Sequence, residues 1–194
     1  MTLYTAIKRA EDIVVATIIL ILISPIMLIV AIGVKVTSPG PIFYRQTRVT
    51  LHNKNFKMLK FRSMPTNAEQ NGVQWGDSKS KTNTKFGQFI RATSLDELPQ
   101  FLNVLKSDMS IVGPRPERDI FIKKFTQEIP NYNEKHKVKA GITGWAQING
   151  WRGDTSLEKR IEFDLDYIKN WTLWLDIKII FLTIFKGFIN KNAY

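Results

Sequence analysis

The chain has 194 residues, the length of one domain, and no cysteine, which excludes a disulfide framework and a thiolate metal site. Its 28 Lys+Arg against 17 Asp+Glu give a formal net charge of +11, suited to nucleic acid, an anionic leaflet or a phosphate-rich substrate. Charge alone does not choose among these; an apolar block near the N-terminus does.

From Ile13 to Val34 no residue is charged. Such a run makes a helix roughly 33 Å long at about 1.5 Å per residue, against a bilayer hydrocarbon core of about 30 Å. A soluble helix keeps a polar stripe, and this one has none. The run is too long for a signal-peptide core and lacks an obvious small-residue cleavage site. It reads as a membrane segment. Ser24-Pro25 lies at its centre, where proline removes a backbone donor and predicts a bend, with the Ser24 hydroxyl taking up part of the freed hydrogen bonding. Two geometries follow: a kinked span, or a helix-break-helix that enters and leaves by one face. Lys8 and Arg9 precede the block and Lys35, Arg45 and Arg48 follow it, so the positive-inside rule has no preference.

Ser38-Pro39-Gly40-Pro41 is a turn signal that closes this segment. Two strands are predicted next, over 42–49 and 56–62, joined by a polar turn. Alternation places Met58, Lys60 and Arg62 on one face; the two cations could hold a diphosphate or simply face solvent. Residues 65–85 are polar and read as a mobile loop, a candidate cover for an active site. Helices are predicted over 86–92, 96–105 and 116–128. From Leu157 to Lys191, aromatic and aliphatic residues alternate with Lys and Asp. Trp171, Trp174, Ile177, Ile180, Phe181, Phe185 and Phe188 suggest amphipathic helices at the membrane surface, or equally helices facing a core.

Three segments could carry chemistry. Ser94-Leu95-Asp96-Glu97 fits a capping box, with Ser94 as cap. It also fits a carboxylate pair at a helix N-terminus, where one carboxylate attacks phosphorus and its neighbour holds Mg²⁺ or accepts a proton. Gly113-Pro114-Arg115-Pro116 is a plain turn or a rigid mount for a phosphate-binding guanidinium. Gly141-Ile142-Thr143-Gly144, with Gln147 beyond it, is a loop or the lining of a nucleotide site. His52 and His136 lack ligand-spaced companions, and there is no Walker A or GxGxxG sequence.

Together these segments resemble the bacterial sugar transferase family, the monotopic phosphoglycosyl transferases, over nearly the whole chain. The resemblance is carried by KRAED (8–12), SPGPIFYRQTRV (38–49), FKMLKFRSM (56–64), RATSLDELPQFLNVLKSDMSIVGPRP (91–116) and GITGWAQINGWRG (141–153). It implies an α+β, predominantly helical fold with a small β-hairpin and interfacial amphipathic helices. It further implies that residues 1–37 are a re-entrant membrane helix broken at Ser24-Pro25, and 38–194 a cytoplasmic catalytic unit on the bacterial inner membrane.

By the same resemblance Asp96 is the nucleophile and Glu97 its partner, with Mg²⁺ as cofactor and Asp164 a further carboxylate toward the metal. Arg91, Arg115, Pro114 and Pro116 match active-site positions, and Lys60 and Arg62 positions near the phosphates. Gly141, Thr143, Gly144 and Gln147 are candidates for the nucleotide side. The expected reaction moves a sugar-1-phosphate from a UDP-sugar, glucose or galactose favoured, to undecaprenyl phosphate through an aspartyl-phosphosugar intermediate. That is the first membrane step of an exopolysaccharide, capsule or O-antigen. Membrane lipid is an expected partner, a homodimer could form, and nucleic acid is not expected. The competing reading is a non-catalytic membrane-anchored scaffold of an envelope glycan pathway. Ala140 stands where the family usually has proline, and Thr82 where it often has arginine.

Overall fold

The computed structural model describes residues 3–66, 68, 84–153 and 155–187. Most of the polar loop, Thr82, Phe188 and Lys191 lie outside them.

Helix α1 runs from Leu3 to Thr37. It is long and apolar enough to cross a membrane, with a mean hydropathy of 3.1. The helical assignment continues through Pro25, so the expected break is not a non-helical interruption. Pro25 cannot donate to the Ile21 carbonyl, and Ser24 Oγ does so instead at 2.9 Å. That substitution lets the helix tolerate proline in an apolar setting.

Both ends of α1 are fixed to one folded body. Near the N-terminus, Arg9 donates to the carbonyls of Val104 and Leu105 at 2.6 and 2.8 Å. These belong to the last turn of helix α3 (Gln100–Leu105), whose orphan carbonyls need donors. Asp12 is buried, and its Oδ1 accepts from Ser110 Oγ and the Ile111 amide at 2.8 and 2.9 Å. Lys8 sits between Asp12 (3.2 Å) and Asp176 (2.7 Å). Beyond Pro25, Val30 and Val34 pack with Phe61 and Ile90 in a second apolar cluster. Between these anchors Ile18, Ile21, Leu22 and Ile26 are exposed.

Strands β1 (Phe43–Val49) and β2 (Asn55–Phe61) form the expected antiparallel hairpin, pairing Tyr44 with Lys60 and Arg48 with Phe56. Helix α2 spans Lys85–Ala92 and is capped by Thr84, whose Oγ1 accepts from the Gly87 amide at 2.9 Å. The helix expected over 96–105 divides: a 3₁₀ turn covers Leu95–Glu97 and α3 begins at Gln100. Pro99 has no amide to continue one ladder through the join. The helix expected from Pro116 begins instead at Asp119, as α4 (Asp119–Glu128). Before it, Arg118 is extended and the Glu117 carbonyl accepts from Val49.

A second, parallel strand pair was not foreseen: β3 (Ser110–Val112) beside β4 (Gly141–Thr143). Strands of three residues are too short to show alternation. A short helix α5 (Trp145–Ile148) follows, then α6 (Leu157–Lys169) and α7 (Leu173–Gly187). The main core gathers Ala16, Phe56, Met58, Val104, Ile111, Tyr167 and Ile179 from α1, β2, α3, β3, α6 and α7.

Along α7, Trp174, Ile177, Phe181, Ile184 and Phe185 are exposed, as a surface-lying helix requires. Trp171 and Ile180 instead pack against the core.

Candidate active site

The dyad turn is held from three directions. Ser94, just before it, adopts a left-handed conformation (φ 57°) and makes no capping hydrogen bond. The capping-box reading therefore fails: a left-handed cap residue does not present its hydroxyl to the following amides as an extended one does. Ser94 Oγ accepts instead from Arg152 Nη2 at 3.2 Å. That contact brings the Trp151-Arg152-Gly153 segment to the dyad turn, a placement the sequence reading did not single out.

Asp96 and Glu97 are both buried, at 4% and 8% exposure, yet their surroundings differ. Lys60 Nζ and Arg115 Nη2 each reach Glu97 Oε1 at 2.7 Å, and Arg115 Nη1 reaches Oε2 at 3.4 Å. Burial alone would push the Glu97 carboxyl up; Arg115 and Lys60 hold it well below the usual carboxylate range. Asp96 Oδ1 is buried and has no hydrogen-bond partner among the described residues. Its carboxyl is pushed up to about 6, by burial first and by Glu97, against the pull of Lys60, Arg91 and Arg115. The dyad thus pairs a neutralised carboxylate with one that has an open oxygen.

Lys60 and Arg62, expected on one strand face, separate: β2 ends at Phe61, and Arg62 lies just beyond it. Lys60 joins the dyad, whereas the Arg62 guanidinium donates to the carbonyls of Ser38 and Pro39, closing the end of α1. Arg91, on α2, lies within electrostatic reach of Asp96.

Arg115 stands between two prolines, so its turn is anchored through carbonyls. Pro114 O accepts from the Gly141 amide at 2.9 Å, Arg115 O from Lys135 Nζ at 3.1 Å, and Pro116 O from Arg48 Nη1 at 3.1 Å. The glycines beside it let backbone meet backbone. A Cβ on Gly113 would lie 2.4 Å from the Lys139 carbonyl, and one on Gly144 2.4 Å from the Gly113 carbonyl. Gly141 is closer still, at 2.2 Å from the Gly113 amide. The glycine-rich stretch accordingly packs behind the Arg115 mount. Thr143 Oγ1 lies 2.7 Å from Thr183 Oγ1 on α7, and Gln147 Nε2 donates to the Ile142 carbonyl at 3.3 Å.

Asp164 is fully buried in a neighbouring cluster, 3.4 Å from Lys135 Nζ. Burial pushes its carboxyl up to about 6. Glu117 and Arg160 complete this cluster with a 3.0 Å ion pair. Among the described residues, no three His, Cys, Asp or Glu side chains gather as a metal group. Arg48, whose guanidinium burial lowers to about 10, and Lys135 are the cations the sequence reading passed over. In one dimension both look like ordinary surface charges.

Residues 3–190 match a family described as bacterial sugar transferase. The chain is 56% identical over 191 residues to a UDP-glucose:undecaprenyl-phosphate glucose-1-phosphate transferase of Escherichia coli K12, covering 96% of this chain and 41% of that protein. A Klebsiella pneumoniae protein of the same description is 54% identical, with the same coverage. An Aeromonas hydrophila UDP-N-acetylgalactosamine-undecaprenyl-phosphate N-acetylgalactosaminephosphotransferase is 47% identical over 94% of this chain and 44% of its own. The chain thus spans about two fifths of the length of these relatives.

Proposed function

The chain belongs to the bacterial sugar transferase family, and from that footing we propose that it transfers a sugar-1-phosphate from a UDP-sugar to undecaprenyl phosphate, releasing UMP. Glucose is the favoured sugar, because the 56% and 54% identical relatives are described as glucose-1-phosphate transferases; galactose is second. The observation that carries the reading is the unequal environment of Asp96 and Glu97. One carboxylate has a buried oxygen without a partner among the described residues, and its neighbour is clamped by Lys60 and Arg115.

In the first step an Asp96 oxygen bonds to the sugar-linked phosphorus as the bond from that phosphorus to the UMP oxygen breaks. In the second, an oxygen of undecaprenyl phosphate attacks the same phosphorus, and the bond to Asp96 breaks. Atoms and charge balance across both steps, and the product is the diphosphate-linked lipid. Arg115 and Lys60 supply fixed positive charge beside the reacting phosphoryl group, in a buried site where such charge acts strongly. Arg91 adds a third cation on the Asp96 side.

Mg²⁺ fits these residues. Magnesium sites commonly use one or two carboxylates and complete their shell with substrate phosphates and water, and the open oxygen of Asp96 is such a ligand. Asp96 is the residue that would hold it through that oxygen; both Glu97 oxygens meet Lys60 or Arg115, and Asp164 faces Lys135. Mg²⁺ held there would supply positive charge to offset that on the phosphoryl oxygens.

The attachment of both ends of α1 to one body supports a re-entrant helix rather than a span, since a span would put the bilayer between two contacts of one domain. The exposed apolar row of α7 then rests on the same leaflet. With the donor a cytoplasmic nucleotide sugar, that leaflet is the cytoplasmic face of the inner membrane.

The test is UMP release from a panel of UDP-sugars with Mg²⁺ and undecaprenyl phosphate, for wild type and Asp96→Asn. Release with one donor, lost in the variant, is the expected result and names the sugar. Silence across the panel would return the non-catalytic scaffold, and UDP release would mean that a different bond is cleaved.

A further inference from the structure

Lys135 is the least expected residue near the site. Its side chain is 1% exposed, and burying an ammonium is costly unless it is paired and hydrogen-bonded. Among the described residues its one carboxylate partner is Asp164 at 3.4 Å, and it lies over the Tyr132 ring at 5.5 Å. Its hydrogen bond goes elsewhere, to the carbonyl of Arg115 at 3.1 Å. That carbonyl is the middle one of three in a turn with two prolines, where backbone donors are scarce. The side chain of the same residue reaches Glu97.

We propose that Lys135, with Asp164 as its buried counter-ion, is a positioning residue that fixes the Arg115 peptide and so aims the guanidinium at Glu97. It touches neither dyad carboxylate and acts through Arg115. Asp164 then serves the site from behind, by neutralising the lysine. The proposal rests on the transferase reading for its effect on turnover, but not for its effect on the turn.

A purely structural ion pair makes a different prediction. Replacing a buried pair with apolar residues of similar size often leaves stability unchanged, so a structural pair could be replaced without loss of activity. The experiment compares wild type with Lys135→Met/Asp164→Leu by thermal unfolding, hydrogen exchange of residues 113–118, and steady-state UMP release. The expected result is a preserved melting temperature, at least threefold faster exchange in that segment, an unaltered hairpin, and kcat down roughly ten- to hundredfold with KM within about twofold. Unchanged exchange overturns the proposal whether or not the enzyme is active. Faster exchange with unchanged kcat overturns it as well. If wild type releases no UMP with any donor, the transferase reading fails separately, and exchange alone decides whether Lys135 pins the turn. Should the double variant not fold, Lys135→Gln/Asp164→Asn keeps polar partners for each other and carries the same readouts.

Discussion

Lys60 on β2 reaches Glu97 Oε1 at 2.7 Å across 37 residues of sequence, tying the hairpin to the dyad turn. Arg115 meets the same oxygen at the same distance. Removing either cation leaves the other in place. Lys60→Met should therefore fold and lower kcat/KM by roughly 10- to 100-fold, the worth of one hydrogen bond to a charged group. UMP release measured beside the wild type checks it; activity within twofold would show that Lys60 plays no part in the chemistry.

The Arg115 mount depends on a glycine. Gly113→Ala would place a Cβ 2.4 Å from the Lys139 carbonyl, which belongs to backbone and cannot swing aside. Overpacking of this kind costs about 1–3 kcal/mol. A lower melting temperature in detergent is expected, together with reduced turnover. An unshifted melting curve would contradict the packing described.

At the base of α1, Lys8 is the cation between two buried carboxylates, Asp12 and Asp176. Asp176 also accepts from Tyr167 Oη at 2.8 Å and Trp171 Nε1 at 2.9 Å. Lys8→Met strips the cation and leaves the carboxylates, a change that costs about 3–5 kcal/mol where the pair is buried. Lys8→Met/Asp176→Asn should recover part of that loss. Thermal unfolding of the two variants decides the point.

The absence of cysteine makes the topology of α1 directly measurable. Thr5→Cys and Val36→Cys, made singly, place thiols at exposed positions near the two ends of the helix. A membrane-impermeant maleimide should label both from the cytoplasmic side of inverted vesicles. Labelling of the two from opposite sides would establish a span.

His136 is buried against Tyr132 in an edge-on ring contact, and neither ring nitrogen has a partner among the described residues. Burial lowers its pKa to about 4, with Lys135 adding to the effect. The unfolded chain, near 6.5, then takes up a proton that the folded chain refuses. This contribution to stability is full above about pH 6.5 and falls as pH drops from there toward 4. His136→Phe removes it. Between pH 7 and 4.5 the variant should lose less stability than wild type, as read by denaturant midpoints; equal losses would mean that His136 takes up its proton in the folded state.

The hairpin was legible because aromatic and β-branched residues fill its first strand and a polar turn separates it from the second. Legibility failed where the cause was distant. Ser-x-x-Glu suggests a cap at Ser94, but a left-handed backbone and a contact from Arg152, 58 residues away, override it. The glycine-rich stretch reads as a plain loop or the lining of a nucleotide site, and nothing in its sequence shows that Gly141 and Gly144 meet the backbone of Gly113.

By itself the sequence determined the uncharged block of α1, the adjacent carboxylates Asp96-Glu97, and an arginine locked between prolines, because each is a matter of neighbouring residues. The tertiary structure alone decided which cation serves which carboxylate. In sequence Lys60 and Arg62 read as equivalent on one strand face, yet only Lys60 reaches Glu97, while Arg62 closes α1. Asp164 found Lys135. Charge pairing over such separations is set by how the hairpin, the dyad turn and the Arg115 mount pack together, and no local pattern records that packing.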